Sequence, residues 1–271
     1  MVRKKLGRGR KNRCRFCTRE GCPRPAFVDY KDVQGLKKMC TSQGKLAVVD
    51  PHESLVAEYL VAAEQTGSPI VAVFETHVQA DHVSGPPELV ARTGAAAYLP
   101  VEAGVAFEHE AFGDGDRVEL GNTVVTGLAT PGHAPAHDAY VVTDLRRGDE
   151  EPWLVFSGDS LLIGDVGRPD LHVAGDARGQ ARVLHASLRR LLELPDDVVL
   201  YPSHFGGSVC GRALSGNPIS SIGFERTHNR LLALDNPEAF AAELLADLPP
   251  RPADQSAIVD ANRAGGVTAP A

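Results

Sequence analysis

Histidines and aspartates recur in four short clusters, each directly after an apolar stretch of chain. The first is Thr76-His77-Val78-Gln79-Ala80-Asp81-His82, and the second is Thr130-Pro131-Gly132-His133-Ala134-Pro135-Ala136-His137. The third is Phe156-Ser157-Gly158-Asp159-Ser160, and the fourth is Tyr201-Pro202-Ser203-His204. Singly, each has an ordinary reading. A histidine beside a loop is commonly a surface or capping residue, and Gly-Asp is a frequent turn. Four clusters in this order fit that reading poorly. Imidazoles and carboxylates converging from separate stretches of chain are the donor set of a borderline metal such as zinc or iron.

The elements between the clusters show how they are positioned. Residues 46–49 and 69–74 are apolar runs expected to form buried strands. Glu53–Gln65 carries Leu55, Val56, Tyr59, Leu60 and Ala63 on one helical face. Further strands are expected at 95–99, 117–120, 123–128, 139–142, 153–156 and 198–201, with Gly121-Asn122 turning one hairpin. Helices are expected at 86–92, at 180–194 and from about Ser220 onward, where Asn236-Pro237 and Pro249-Pro250 interrupt the chain. Strands and helices mixed without a strict βαβ period predict a layered α/β (α+β) fold. In such a fold, strand ends are rigid and point into a common crevice.

The formal net charge of −7 conceals a sharp asymmetry: residues 1–45 carry +11 and the remainder −18. Every lysine lies in the first 45 residues, and every later cation is arginine. Cys14, Cys17, Cys22 and Cys40 fall in the same basic stretch. The charge break predicts two units, a basic Cys-rich segment at 1–45 and a catalytic domain at 46–271. No apolar run approaches the roughly 18 residues of a membrane span. The basic N-terminus lacks the apolar stretch of a secretory signal. The cytoplasm is therefore the expected compartment, where clustered cysteines suggest a metal rather than disulfides.

The four clusters resemble those of the metallo-β-lactamase superfamily, whose opening motif is Thr-His-x-His-x-Asp-His. Gly164-Asp165-Val166-Gly167-Arg168-Pro169-Asp170-Leu171, Cys210-Gly211-Arg212-Ala213-Leu214-Ser215-Gly216 and Ile222-Gly223-Phe224-Glu225-Arg226 are similar to persulfide dioxygenases within it. The resemblance covers about residues 46–264 and implies an αββα sandwich. It also implies one Fe(II) held by His77, His133 and Asp159, the two-histidine, one-carboxylate set of non-haem oxygen chemistry. The implied reaction takes glutathione persulfide, or a similar low-molecular-weight persulfide, and dioxygen to sulfite and thiol. Asp81, His82 and His204 match a vacated second-metal position and are expected to hydrogen-bond around the iron. Arg168 and Tyr201 are the expected substrate contacts, with an Asp165 or Asp170 salt bridge as the other reading of Arg168. His137 reads as structural.

Gln79 departs from the superfamily motif, where a histidine is expected. A neutral amide is a poor ligand beside imidazole, which weighs against a two-metal thioester hydrolase of the glyoxalase II type, the alternative reading. No rhodanese domain follows, so coupled sulfur transfer would need a separate partner.

Residues 14–45 resemble a different family, bacterial small-subunit ribosomal protein eighteen. Cys14-Arg-Phe-Cys17, Val28-Asp29-Tyr30-Lys31-Asp32, Leu36-Lys37-Lys38 and Gln43-Gly44-Lys45 carry that likeness. It implies RNA contact through the basic surface. A third reading follows, an RNA-associated protein carrying an inactive remnant of the enzyme fold. Cys14, Cys17, Cys22 and Cys40 offer a tetrahedral zinc site. Val33, Leu36 and Met39 are spaced as on a short helix. Both likenesses stop at the Lys45–Leu46 joint, where the second domain is expected to lack its opening strands.

Overall fold

The computed structural model describes residues 43–148, 150–204 and 217–266, with the backbone of two short strands at 26–27 and 37–40. The first sheet runs β1 (Ala26–Phe27), β2 (Lys37–Cys40), β3 (Leu46–Val49), β4 (Ile70–Phe74), β5 (Ala96–Leu99) and β6 (Glu110–Ala111), neighbouring in that order. The second contains β7 (Arg117–Leu120), β8 (Thr123–Ala129), β9 (Asp138–Asp144), β10 (Pro152–Gly158), β11 (Val199–Pro202) and β12 (Ser220–Ser221), again in consecutive order. The helices are α1 (Val56–Thr66), α2 (Pro86–Thr93), α3 (Ala177–Leu191), α4 (Ile222–His228), α5 (Pro237–Leu245) and α6 (Gln255–Arg263).

Three apolar layers account for the αββα architecture. Between the sheets, Val49, Ala72 and Phe74 of the first meet Val125, Tyr140, Val142, Leu154 and Phe156 of the second. Alternate residues of the strands turn outward, as the two-residue side-chain period requires. Leu46, Val48, Ile70 and Val73 therefore pack on Val56 and Tyr59 of α1 and Leu89 of α2. On the opposite outer face, Val155 and Leu200 meet Ala181, Leu184 and Leu188 of α3 and Phe240 of α5. These helices cover the sheet faces; among the described residues none is long and apolar enough to cross a membrane.

One expectation about the N-terminal stretch changes. Of Val33, Leu36 and Met39, whose spacing suggested a short helix, Met39 lies in β2, antiparallel to β3 with Lys37 opposite Val49 and Cys40 opposite Leu46. A three-residue apolar spacing over so short a segment does not exclude a strand, and pairing with an open sheet edge decides it. The joint at Lys45–Leu46 thus falls between two paired strands of one sheet, and β2 covers the edge that β3 would otherwise expose. Cys14, Cys17 and Cys22 lie outside the described residues, as does the side chain of Cys40. So do most of the residues behind the likeness to the ribosomal protein and the RNA contact expected from it.

One strand carries a built-in cost. Asp138, at the start of β9, is 4% exposed, and its carboxyl is pushed up to about 7 by burial, with Asp114 and Asp116 adding and Arg190 opposing. The folded chain therefore binds this proton more tightly than the unfolded chain does. Its contribution to stability is lost as pH rises from about 4 through 7. Asp138→Asn should stabilise the protein by about 2–4 kcal/mol at pH 8 and hardly at pH 4, at about 1.4 kcal/mol per pH unit of displaced titration. Urea midpoints at the two pH values check this; an equal gain at both would place the effect elsewhere.

Candidate metal centre

Each metal-ligand candidate leaves the end of a strand. His77 follows β4, His133 follows β8, Asp159 follows β10 and His204 follows β11. The crevice they line sits at one end of the sandwich, and His77, His133, Asp159 and His204 are all at most 3% exposed.

The imidazoles are held from behind. His77 Nδ1 lies 2.9 Å from Thr76 Oγ1, which lies 3.0 Å from Asp50 Oδ1. Thr76 has one hydroxyl proton, which it gives to the carboxylate, so His77 donates to Thr76 and presents a bare Nε2. His133 Nδ1 donates to the Arg168 carbonyl at 2.9 Å, which leaves its Nε2 bare as well. Burial pushes both histidines down, His77 well down, which favours the neutral form that a ligand needs. Both ring nitrogens of His137 are engaged within the protein. Its Nδ1 faces Thr130 Oγ1 at 2.8 Å, and its Nε2 accepts from the Asp159 amide at 3.0 Å. Burial and then His133 push it down to about 3, consistent with that accepting nitrogen.

Asp159 carries the test of whether a cation fits. Its Oδ1 receives His204 Nδ1 at 2.6 Å, while its Oδ2 is buried with no hydrogen-bond partner. His133 Nε2 lies 3.5 Å from Oδ2, too long for a hydrogen bond. Burial opposes ionisation here, yet His204, with His133 and His77 adding, holds this carboxyl well below the usual range. A buried, ionised oxygen without a partner is costly unless a cation meets it. Such a cation is what the bare nitrogens of His77 and His133 also require, so the residues fit a bound metal.

Beside it, Asp81, His82 and His204 bring donor atoms within 4.8 Å of one another. Asp81 Oδ1 lies 2.9 Å from His82 Nδ1, and Asp81 Oδ2 lies 2.7 Å from His204 Nε2. Burial works against ionisation of Asp81 too, and His204 with His82 overrides it. Gln79 turns its amide nitrogen to Asp50 Oδ1 at 3.2 Å. From α6, Asn262 Nδ2 holds the Gln79 and His82 carbonyls at 3.0 and 2.9 Å, which fixes the first cluster's loop.

Arg168 lies in the site's wall. Its guanidinium grips Asp170 with two nitrogens at 2.8 and 2.9 Å and gives a third bond, at 2.7 Å, to the Pro249 carbonyl. This is the salt-bridge reading of Arg168; its side chain braces the loop whose carbonyl orients His133. Gly167, just before it, has no room for a side chain: a Cβ would stand 1.8 Å from the Asp159 carbonyl. The same loop is held from α4 by Glu225, which accepts from the Gly164 amide at 2.9 Å, and by Asn229, which donates to the Asp165 carbonyl at 3.0 Å. Tyr201 packs its ring on Phe156, 5.7 Å between centroids, at the edge of the inter-sheet core.

Two residues of the centre were not foreseen. Asp50 takes hydrogen bonds from the Thr76 amide and hydroxyl, Gln79 and, at 2.6 Å, Ser203. It joins the first cluster to the fourth, and no local pattern marks it. His172 brings a third imidazole to His77 and His133, with all three donor atoms within 4.8 Å. It follows a loop rather than a strand, so the strand-end pattern passes over it. Burial and then His133 push it down to about 3.

The metallo-beta-lactamase superfamily model matches residues 40–204. A hydroxyacylglutathione hydrolase of Methylobacterium sp. (strain 4-46) is 33% identical, the match covering 66% of this chain and 64% of the relative. A mitochondrial persulfide dioxygenase of Homo sapiens, ETHE1, is 27% identical over 82% of this chain and 80% of its own. The crystal structure of ETHE1 from Myxococcus xanthus superposes with a TM-score of 0.74 at 29% identity, covering 90% of this chain and 99% of that one. The chain spans between 52% and 64% of the length of the first three curated relatives it matches. Matched over more than half its length and built on the same sandwich, the chain belongs to the metallo-beta-lactamase superfamily.

Proposed function

We propose that the chain is a mononuclear iron persulfide dioxygenase, converting glutathione persulfide or a similar low-molecular-weight persulfide to sulfite and thiol. The observation that supports this reading is the engagement of His204. Its two nitrogens stand 2.6 Å from Asp159 and 2.7 Å from Asp81, both held ionised. An imidazole donating to two carboxylates has no lone pair left for a second ion. Gln79, tied to Asp50, adds no imidazole to the first position. What remains is a single-ion set of His77, His133 and Asp159, with similarity to persulfide dioxygenases extending over most of the chain.

Iron(II) held by His77, His133 and Asp159 would supply the coordination of sulfur and dioxygen and the electronic path between them. The chain's own residues hold the geometry. Thr76 and Asp50 orient His77, the Arg168 carbonyl orients His133, and His137 anchors the Asp159 backbone.

The Asp81, His82 and His204 group favours a second reading, a two-metal thioester hydrolase, because releasing His204 from its carboxylates would free three donors. Oxygen uptake by the Fe(II)-loaded protein on addition of glutathione persulfide separates the two. The dioxygenase consumes oxygen and releases sulfite in step at one iron per chain. Oxygen-independent turnover of S-lactoylglutathione with two metals per chain would establish the hydrolase instead.

A further inference from the structure

We propose that His172 is a fourth protein ligand to the metal held by His77, His133 and Asp159. The proposal deepens the reading of a single metal at that position and does not depend on which reaction the metal serves.

Four observations carry it. The donor nitrogens of His77, His133 and His172 all lie within 4.8 Å of one another, near the roughly 4.2 Å that two nitrogens at about 2.1 Å span across one ion, and Asp159 Oδ2 stands 3.5 Å from His133 Nε2. The rings approach edge to face: His172 stands at 70° to His133 and 79° to His77, which themselves stand at 86°. Mutually steep planes converging on one point are how several imidazoles share an ion without colliding. His172 Nε2 is buried and has no hydrogen-bond partner, as is Asp159 Oδ2 in the same centre. A core imidazole kept for packing alone would normally find a donor or acceptor for its buried nitrogen.

The fourth observation is the loop that delivers it. Arg168 and Asp170 pin the chain two residues before His172, and Gln255 Nε2 of α6 holds the Leu171 carbonyl at 2.6 Å. The backbone on the N-terminal side of His172 is thus fixed, as a ligand requires. The resulting set is three imidazoles and one carboxylate. A fourth protein ligand would leave one position fewer for exogenous ligands.

Cobalt(II), which reports its coordination in its visible spectrum, is the probe. His172→Gln, loaded with Co(II), should show a changed d–d spectrum. It should also bind the ion more weakly by more than the roughly 10–100-fold that loss of a supporting hydrogen bond costs. Titration against a competing chelator measures the affinity. His172→Cys is the second variant. A thiolate at that position should add a sulfur-to-cobalt charge-transfer band over the unsubstituted protein, which a residue outside bonding distance cannot do. An unchanged spectrum and affinity in the glutamine variant, with no new band in the cysteine variant, would overturn the assignment. Thermal unfolding of the metal-free variants separates loss of a ligand from loss of fold. Both readouts are taken without persulfide or oxygen, so failure of the dioxygenase reading leaves them intact.

Discussion

Replacing His133 by alanine will strip the metal from the centre and abolish turnover. His133 is 1% exposed, its Nδ1 is committed to the Arg168 carbonyl, and its Nε2 faces the unpartnered oxygen of Asp159. Losing a supporting hydrogen bond to a metal ligand typically costs about 10–100-fold in affinity, so loss of the ligand itself should cost more than 100-fold. Elemental analysis of the iron-reconstituted variant should find occupancy falling from near one per chain to near zero, with oxygen uptake falling in parallel. If iron and activity both survive, the ligand assignment is wrong.

The second large effect belongs to Arg168. Its guanidinium is 2% exposed, paired with Asp170 and bonded to the Pro249 carbonyl. Arg168→Ala leaves Asp170 without this partner and that carbonyl without its donor. Breaking a buried pair from one side typically costs about 3–5 kcal/mol. The loop whose carbonyl fixes His133 would loosen with it, so metal affinity should fall together with the urea midpoint. Arg168→Lys keeps the charge but not the planar fork and should recover only part of the loss. A raised KM at unchanged stability and metal content would instead make Arg168 the substrate contact suggested by the family likeness.

Much of the architecture was legible because burial writes itself into strands. Residues 69–74 read as a buried strand from their apolar content and 153–156 as a further strand, and the structure has β4 at Ile70–Phe74 and β10 at Pro152–Gly158. The ligand clusters were legible for a related reason, since each sits where such a run stops. Features that depend on pairing across the fold were not. The same apolar spacing reads as helix or strand at Met39, and only the open edge of β3 resolves it. Asp50 acts through Thr76, Gln79 and Ser203, which lie up to 153 positions away along the chain. His172 reaches the centre because a buried arginine turns the preceding loop, and a motif records that arginine without recording where its side chain goes.

The ligands also have a mechanical meaning. His77 hangs from the first sheet, while His133 and Asp159 hang from the second, so a metal at their meeting point would rivet two layers that apolar packing and hydrogen bonds such as Ser203 to Asp50 already join. Its hold on the fold then depends on how much free ion surrounds the protein, reaching about 2.7 kcal/mol at a hundredfold excess over the dissociation constant. That gain resists the parting of the sheets at the end where these residues meet. A cell short of the metal would therefore hold a protein that is both idle and easier to pull apart, and supply of the ion would govern its abundance as well as its activity.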